Sequence, residues 1–258
     1  MGRSRALLAA FASLSLALGA AGSAQAGADR GGVDQAGVDR AGVDRAGVDR
    51  AGVDRAGVDL VRVGLPPVVS RVPTGEKVVF LTIDDGWNHD PQAVRILLEQ
   101  RVPVALFLLP GAVSYDTGYF TRLVDEGRAT VENHTVDHPD LTTLDALGKD
   151  AEVCGAGERL DAVFGRTPKL LRPPYGAVDD GVRAAAKACG VKALVTWTHD
   201  FTTWSGTPPT PRLAAGDIVL LHFTPTLAAD LERALAVARA AGLRPAALAP
   251  HLKAAGIL

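Results

Sequence analysis

The chain has 258 residues, 47% of them hydrophobic, and a formal net charge of −2. That is apolar material for one sizeable core, and the length fits one domain with appendages. Near-neutral charge without a basic stripe argues against nucleic acid or an anionic membrane as partner, so a large partner would be uncharged.

Residues 1–26 read as a signal peptide. Arg3 and Arg5 supply a positive start, Ala6 to Ala20 a short apolar run, and Ala24-Gln25-Ala26 a small-residue cleavage site. The run is short for a membrane span of ~20 apolar residues. The expected mature protein is therefore secreted, with no span left after cleavage. Residues 27–67 form a linker, and within it residues 31–60 repeat Ala-Gly-Val-Asp-Arg with small variations. Isolated valines and recurrent glycine offer too little apolar surface to offset chain entropy, so a disordered tether is expected. Two cysteines remain, Cys154 and Cys189. In an exported protein they permit a disulfide, and two buried thiols are the alternative; the sequence leaves both open.

From Val68 to the end, strands and helices alternate. Val78 to Ile83 is an apolar, β-branched run suited to a buried parallel strand, ending in Asp84-Asp85-Gly86. Asp90 and Pro91 then predict a helix N-cap and first turn. Val102 to Leu109 is the next strand, closed by Pro110-Gly111. A helix follows around Tyr119 to Glu126, and Ala129 to Asn133 is a third strand ending at His134. A long helical region between Thr143 and Phe164 stops at Gly165. Lys169 to Leu171 is a short strand ending at Arg172. Asp180 to Ala188 is helical, Val191 to Trp197 and Ile218 to Phe223 are strands, and Leu227 to Ala240 is an amphipathic helix. This alternation predicts an α/β fold with a parallel sheet under helices. Reactive residues at several strand ends favour a barrel over an open doubly wound sheet, though the sequence does not separate the two cleanly.

Three groups of metal-ligand type sit at those strand ends: Asp84-Asp85, His134 with His138, and His222. The His-x-x-x-His spacing puts two imidazoles one turn apart if the segment is helical. Adjacent carboxylates after a buried strand are costly unless something positive faces them. A metal held by one carboxylate and two histidines meets that need and leaves positions for water and substrate. The other carboxylate can then serve as general base, and His222 can protonate a leaving amine.

These residues fall in a recognisable order. Leu81-Thr82-Ile83-Asp84-Asp85-Gly86 resembles the first motif of the polysaccharide deacetylase family, also known as the NodB-homology family or carbohydrate esterase family 4. Asn133 to Pro139 resembles its second motif, Arg172-Pro173-Pro174-Tyr175-Gly176 its third, and Leu220-Leu221-His222 its fifth. The likeness spans Val78 to Phe223 and implies a distorted (β/α) barrel. It implies Asp84 as catalytic base and Asp85, His134 and His138 as ligands of a divalent metal: zinc, or cobalt or nickel. Arg172 would orient Asp84, and the Tyr175 N–H would stabilise the oxyanion. His222 would be the general acid, with Leu220 and Trp204 lining the acetyl pocket.

Two departures stand out. The family's fourth motif usually ends in Asp-Trp, whose Asp supports the catalytic histidine. Here Asp200-Phe201-Thr202-Thr203-Trp204 puts Thr203 at that place, and Asp200 or His199 would have to compensate. Trp87 stands where the family often has Pro, with His89 close by; both could border the groove or be ordinary loop residues. His251 is expected to have no catalytic part, and Trp197 to pack in the core. The implied function is a secreted, monomeric, metal-dependent carbohydrate deacetylase acting on N-acetylglucosamine units of peptidoglycan or chitin-type glycans. The alternatives are a carbohydrate-binding protein with weakened chemistry, an O-acetyl xylan esterase, or an amidohydrolase of a small non-sugar amide.

Overall fold

Residues 64–204 and 211–258 are described by the computed structural model. The expected signal peptide and nearly all of the repeat-bearing linker lie outside the described residues. Pro66 and Pro67, assigned to the linker, are already tied to the fold. The Pro66 carbonyl accepts from Arg183 Nε at 3.0 Å and that of Pro67 from the Leu194 N–H at 2.8 Å.

In chain order the strands and helices run β1 (Val68–Val69), β2 (Val78–Asp85), α1 (Pro91–Glu99), β3 (Pro103–Leu108), α2 (Pro110–Tyr115), α3 (Thr117–Asp125) and β4 (Arg128–Asn133). Next come α4 (Ala146–Phe164), β5 (Leu170–Leu171), α5 (Asp180–Ala188), β6 (Ala193–Val195), β7 (His199–Asp200) and β8 (Ile218–His222). The chain closes with α6 (Leu227–Ala240), β9 (Arg244–Pro245) and α7 (Leu248–Ala254). Aspartates start four of the helices: Asp90, Asp116, Asp145 and Asp179 each accept a backbone N–H of the first turn.

Three expectations shift locally. Pro110-Gly111, read as a strand stop, also opens α2, because proline at the first helical position lacks only an N–H that the helix does not use. The long helical region begins at Ala146 rather than Thr143, since Asp145 caps it by accepting the Gly148 N–H. It ends at Gly165 as expected, with φ of 64°. The segment expected as one strand, Val191 to Trp197, is ordered as β6 only over Ala193–Val195, and β7, β9 and α7 had no clear sequence signal.

All strand pairs are parallel, in the order β1-β6-β5-β4-β3-β2-β8-β7, with β9 added beside β2. β6 and β7 lie towards opposite ends of that order, yet only Thr196 to Thr198 separates them in the chain. One bent segment thus closes the curled sheet. Thr198 helps at the bend, donating its hydroxyl to Ser70 O and accepting from the Ile218 N–H. The result is the expected distorted (β/α) barrel.

Period-2 alternation along β2 sorts its side chains. Val79, Leu81 and Ile83 face the helices and join the largest core cluster, whereas Val78 and Phe80 point inward to a second cluster. Continuing the inward series brings Thr82 and Asp84 into the barrel, beside Phe107 of β3. The interior is apolar at the strand N-termini and polar at the C-termini, and the site lies at the C-terminal end.

A third cluster lies under α4 and α5. Here Cys154 of α4 and Cys189, the C-cap of α5, form a disulfide with Cα atoms 4.9 Å apart, which decides between the two readings of the cysteines. Replacing both cysteines by alanine is expected to lower unfolding free energy by about 3–4 kcal/mol in the chain-entropy account, as read by urea denaturation; an unchanged midpoint would contradict this.

Glu132, on β4, is buried, and its Oε2 accepts from the Lys169 and Leu170 N–H groups at 3.2 and 3.0 Å. Burial pushes its carboxyl up to about 7 from 4.5, against the lowering pull of those N–H groups and of Arg166 and Lys169. Raised in the folded state, it adds stability below about pH 4.5 that is lost as pH climbs through about 7. Glu132→Gln should flatten this slope and, at pH 8, raise unfolding free energy by on the order of 1–3 kcal/mol. Denaturation across pH 4–8 checks it, and identical slopes in both proteins would refute it.

Candidate active site and metal centre

Each group of candidate residues arrives on the C-terminal end of a different strand. Asp84 and Asp85 end β2, His134 follows β4, Arg172 follows β5, and His222 ends β8 in register with Asp84. Thr202 and Trp204 follow β7. Asp85 has φ of 75°, so the chain turns left-handed at the strand end and takes its carboxylate out of the strand alternation.

Arg172 anchors Asp84. The guanidinium is fully buried, and its Nη1 donates to Asp84 Oδ1 at 2.6 Å and to Thr82 Oγ1 at 2.8 Å. Nε and Nη2 donate to the carbonyls of Val195 and Thr196, each at 3.1 Å. The Phe107 ring lies 4.3 Å from the guanidinium carbon and Trp197 at 5.9 Å, so Trp197 packs beneath the site as expected. Burial lowers the Arg172 pKa while Asp84 holds the charge in place. One oxygen of Asp84 is thereby fixed and the other, Oδ2, faces His134 Nε2 at 3.6 Å.

His134 is also buried, with Nδ1 2.7 Å from the Arg172 carbonyl oxygen. A carbonyl only accepts, so Nδ1 carries the proton and the neutral ring presents a bare lone pair at Nε2. That atom has no hydrogen-bond partner and looks onto two carboxylates, with Asp85 Oδ1 at 3.4 Å. A lone pair facing carboxylates is unfavourable until a proton or a metal cation lies between them. His138 Nε2 stands 3.8 Å from the same Asp85 oxygen, and the three ligand atoms lie within 4.8 Å of one another. Donors ~2.0–2.1 Å from one tetrahedral zinc would lie ~3.3 Å apart, so the residues fit a divalent ion.

The electrostatics point the same way. Burial alone would raise Asp85, but His134 prevails and holds its pKa below the usual value. Burial would lower His134, but Asp84 and then Asp85 raise it. His138 is lowered by burial and by His134. The pocket favours a positive charge at its centre.

The two histidines are not on a helix, contrary to one reading of their spacing. Thr135 and His138 have φ of 71° and 60°, in an irregular loop. Asn133 Oδ1 accepts the Thr135 N–H, Thr135 Oγ1 accepts the His138 N–H, and Glu152 Oε2 of α4 accepts those of Val136 and Asp137. Glu152 was not singled out from the sequence; an acid on a helix gives no local sign that it clamps a loop.

The profile of the polysaccharide deacetylase family matches residues 71–194. An uncharacterized protein of Streptomyces coelicolor is 40% identical over 195 residues, covering 73% of this chain and 78% of that protein. A chitooligosaccharide deacetylase of Bradyrhizobium sp. is 32% identical over 160 residues, covering 58% of this chain and 72% of the relative. The chain belongs to the polysaccharide deacetylase family. A family 4 carbohydrate esterase from Bacillus anthracis shares the polysaccharide deacetylase fold at a TM-score of 0.63 and 25% identity, covering 72% of this chain and 87% of that one.

The other expected residues take these places. Tyr175 has φ of 60°, its side chain is exposed, and its ring lies 4.9 Å from that of His138. Leu220 is buried on the inward face in register with Thr82, one step beneath His222. Trp204 is exposed and its ring lies 4.7 Å from the His222 imidazole. Trp87 is exposed next to Gly111, while His89 is locked between Tyr119 and Phe120 and bonds Gly86 O at 2.7 Å. His251 packs on Phe80, away from the strand C-termini.

The acid-bearing side departs from expectation. Neither Asp200 nor His199 touches His222: Asp200 accepts from the Thr202 N–H and from Trp204 Nε1, and His199 pairs with Asp217 at 3.3 Å. Thr203 does not face His222 either. Its N–H and hydroxyl both go to the buried Asp230, at 2.9 and 2.5 Å. Restoring the family acid by Thr203→Asp would thus set two carboxylates together in a buried place. It should lower stability by about 1–3 kcal/mol without raising turnover. Urea midpoints and steady-state rates measure both, and a more active, equally stable variant would contradict the placement.

Proposed function

We propose that this protein is a secreted, zinc-dependent deacetylase that hydrolyses the N-acetyl groups of N-acetylglucosamine units in a peptidoglycan or chitin-type glycan. The observation that carries the reading is the division of labour between two adjacent carboxylates. Asp84 is pinned by Arg172 on one oxygen, while Asp85 shares a cation-demanding space with His134 and His138. A binding protein has no use for a buried carboxylate held at the edge of a metal cradle. The chitooligosaccharide deacetylase among the relatives supports the substrate class.

Asp85, His134 and His138 would hold the ion. Zinc bound there supplies Lewis acidity, polarising an acetyl carbonyl and making water easier to deprotonate at neutral pH. Asp84 takes a proton from the attacking water through Oδ2, its other oxygen being held by Arg172. The water oxygen bonds to the acetyl carbon, and the Tyr175 N–H steadies the charge on the carbonyl oxygen. The C–N bond then breaks as His222 Nε2 gives a proton to the leaving nitrogen. Acetate and a free amine leave, and exchange with solvent returns Asp84 and His222 to their starting protonation. Leu220 and Trp204 would enclose the methyl group.

Export is supported by the signal-like residues 1–26 and by the Cys154–Cys189 disulfide, which suits an oxidising compartment. Among the described residues no helix is long and apolar enough to cross a membrane.

The test combines metal analysis of the mature protein with acetate release from N-acetylated chitin oligomers, peptidoglycan and O-acetyl xylan. Asp84→Asn should keep its zinc and lose turnover at least ~100-fold, whereas His134→Ala should lose the zinc itself. Full activity in Asp84→Asn would remove the base assignment. A zinc-loaded wild type that releases acetate from none of these glycans would end the deacetylase reading.

A further inference from the structure

His222 needs its imidazole held so that one nitrogen faces the substrate. Its Nδ1 lies 2.8 Å from Thr202 Oγ1, and Thr202 is nearly buried. Two aspartates hold the segment that carries that hydroxyl. Asp200 Oδ1 accepts the Thr202 N–H at 2.8 Å, and Asp230 holds the next residue, Thr203, by its N–H and hydroxyl. Asp230 is itself secured by the Thr226 hydroxyl at 2.9 Å and by Arg233 at 3.0 Å, while Arg233 also donates to Thr203 Oγ1 and to the Phe201 carbonyl. The branched threonine side chain has few rotamers to explore once its backbone is held.

We propose that Thr202 is the positioning residue of His222: its neutral hydroxyl accepts from Nδ1–H and leaves Nε2 as the nitrogen that handles the proton. This rests on the deacetylase reading and deepens it. The hydroxyl orients the ring without adding a charge beside it, and the proton moves only at Nε2. Asp200 and Asp230 act on His222 through the backbone around Thr202 rather than by contact.

The test compares two leaving groups. An amine must be protonated to depart from an N-acetylated chitin tetramer, whereas the phenolate of 4-nitrophenyl acetate leaves without help. Thr202→Val should lower kcat on the tetramer about 10- to 100-fold with KM within about twofold. The ester should lose less than about threefold, with zinc content unchanged, because less acid assistance is needed there. Thr202→Ser should return kcat to within about threefold of wild type, since it restores the hydroxyl. Equal losses on both substrates, no loss at all, or failure of serine to rescue would overturn the proposal. Nitrogen-15 NMR of wild-type His222 gives a reading that no variant's folding can spoil: the Nδ1–H form should dominate the neutral ring, and dominance of the Nε2–H form would refute the assignment. A wild type inactive on every glycan but with His222 in the Nδ1–H form would fail the deacetylase reading while sustaining the Thr202 contact.

Discussion

A charged pair sealed inside the barrel sets the terms for the rest of the molecule. Arg172 and Asp84 are both withdrawn from water, where an unpaired ion would be heavily penalised. The guanidinium answers this with donors spent on Asp84, Thr82 and the carbonyls of Val195 and Thr196. Thr82 in turn donates its hydroxyl hydrogen bond to the Val219 carbonyl. One side chain thus binds β2, the end of β5 and the bend after β6, and reaches β8 through Thr82. The same pairing holds one oxygen of Asp84 and leaves the second turned towards His134.

Much of this was legible in the sequence because strand ends are punctuated. An apolar run broken abruptly by two acids, by histidine or by arginine marks where a buried strand meets the site. The order of those breaks gave the family and, through that likeness, the distorted barrel, which strand–helix alternation alone did not separate from a doubly wound sheet. The path between His134 and His138 was not legible, because a four-residue spacing suits a helical turn as well as the loop that Asn133, Thr135 and Glu152 hold together. Closure of the sheet was equally hidden: the short β6 and β7 carry too few residues for periodicity, and their bend is fixed by long-range hydrogen bonds at Thr198.

The neighbouring threonines 202 and 203 show the limit most sharply. Motif spacing selects Thr203 as the place of the family acid, but spacing along a loop does not say which way a side chain turns. Asp230, on a helix after the last motif, captures Thr203, and Thr202 is left to meet His222. The deciding residue lies beyond the stretch that resembles the family, where no motif draws attention to it.

The bend that closes the barrel also orders the site in sequence. All three residues of the metal cradle lie in the earlier part of the described chain, whereas Thr202 and His222 follow the bend. Asp84 and His222 become neighbours only when β8 docks beside β2. The residues grouped for a metal and the Thr202–His222 pair thus belong to different stretches of the chain. The site is therefore complete only in the closed sheet, because its two sides come from strands that meet nowhere else in the chain.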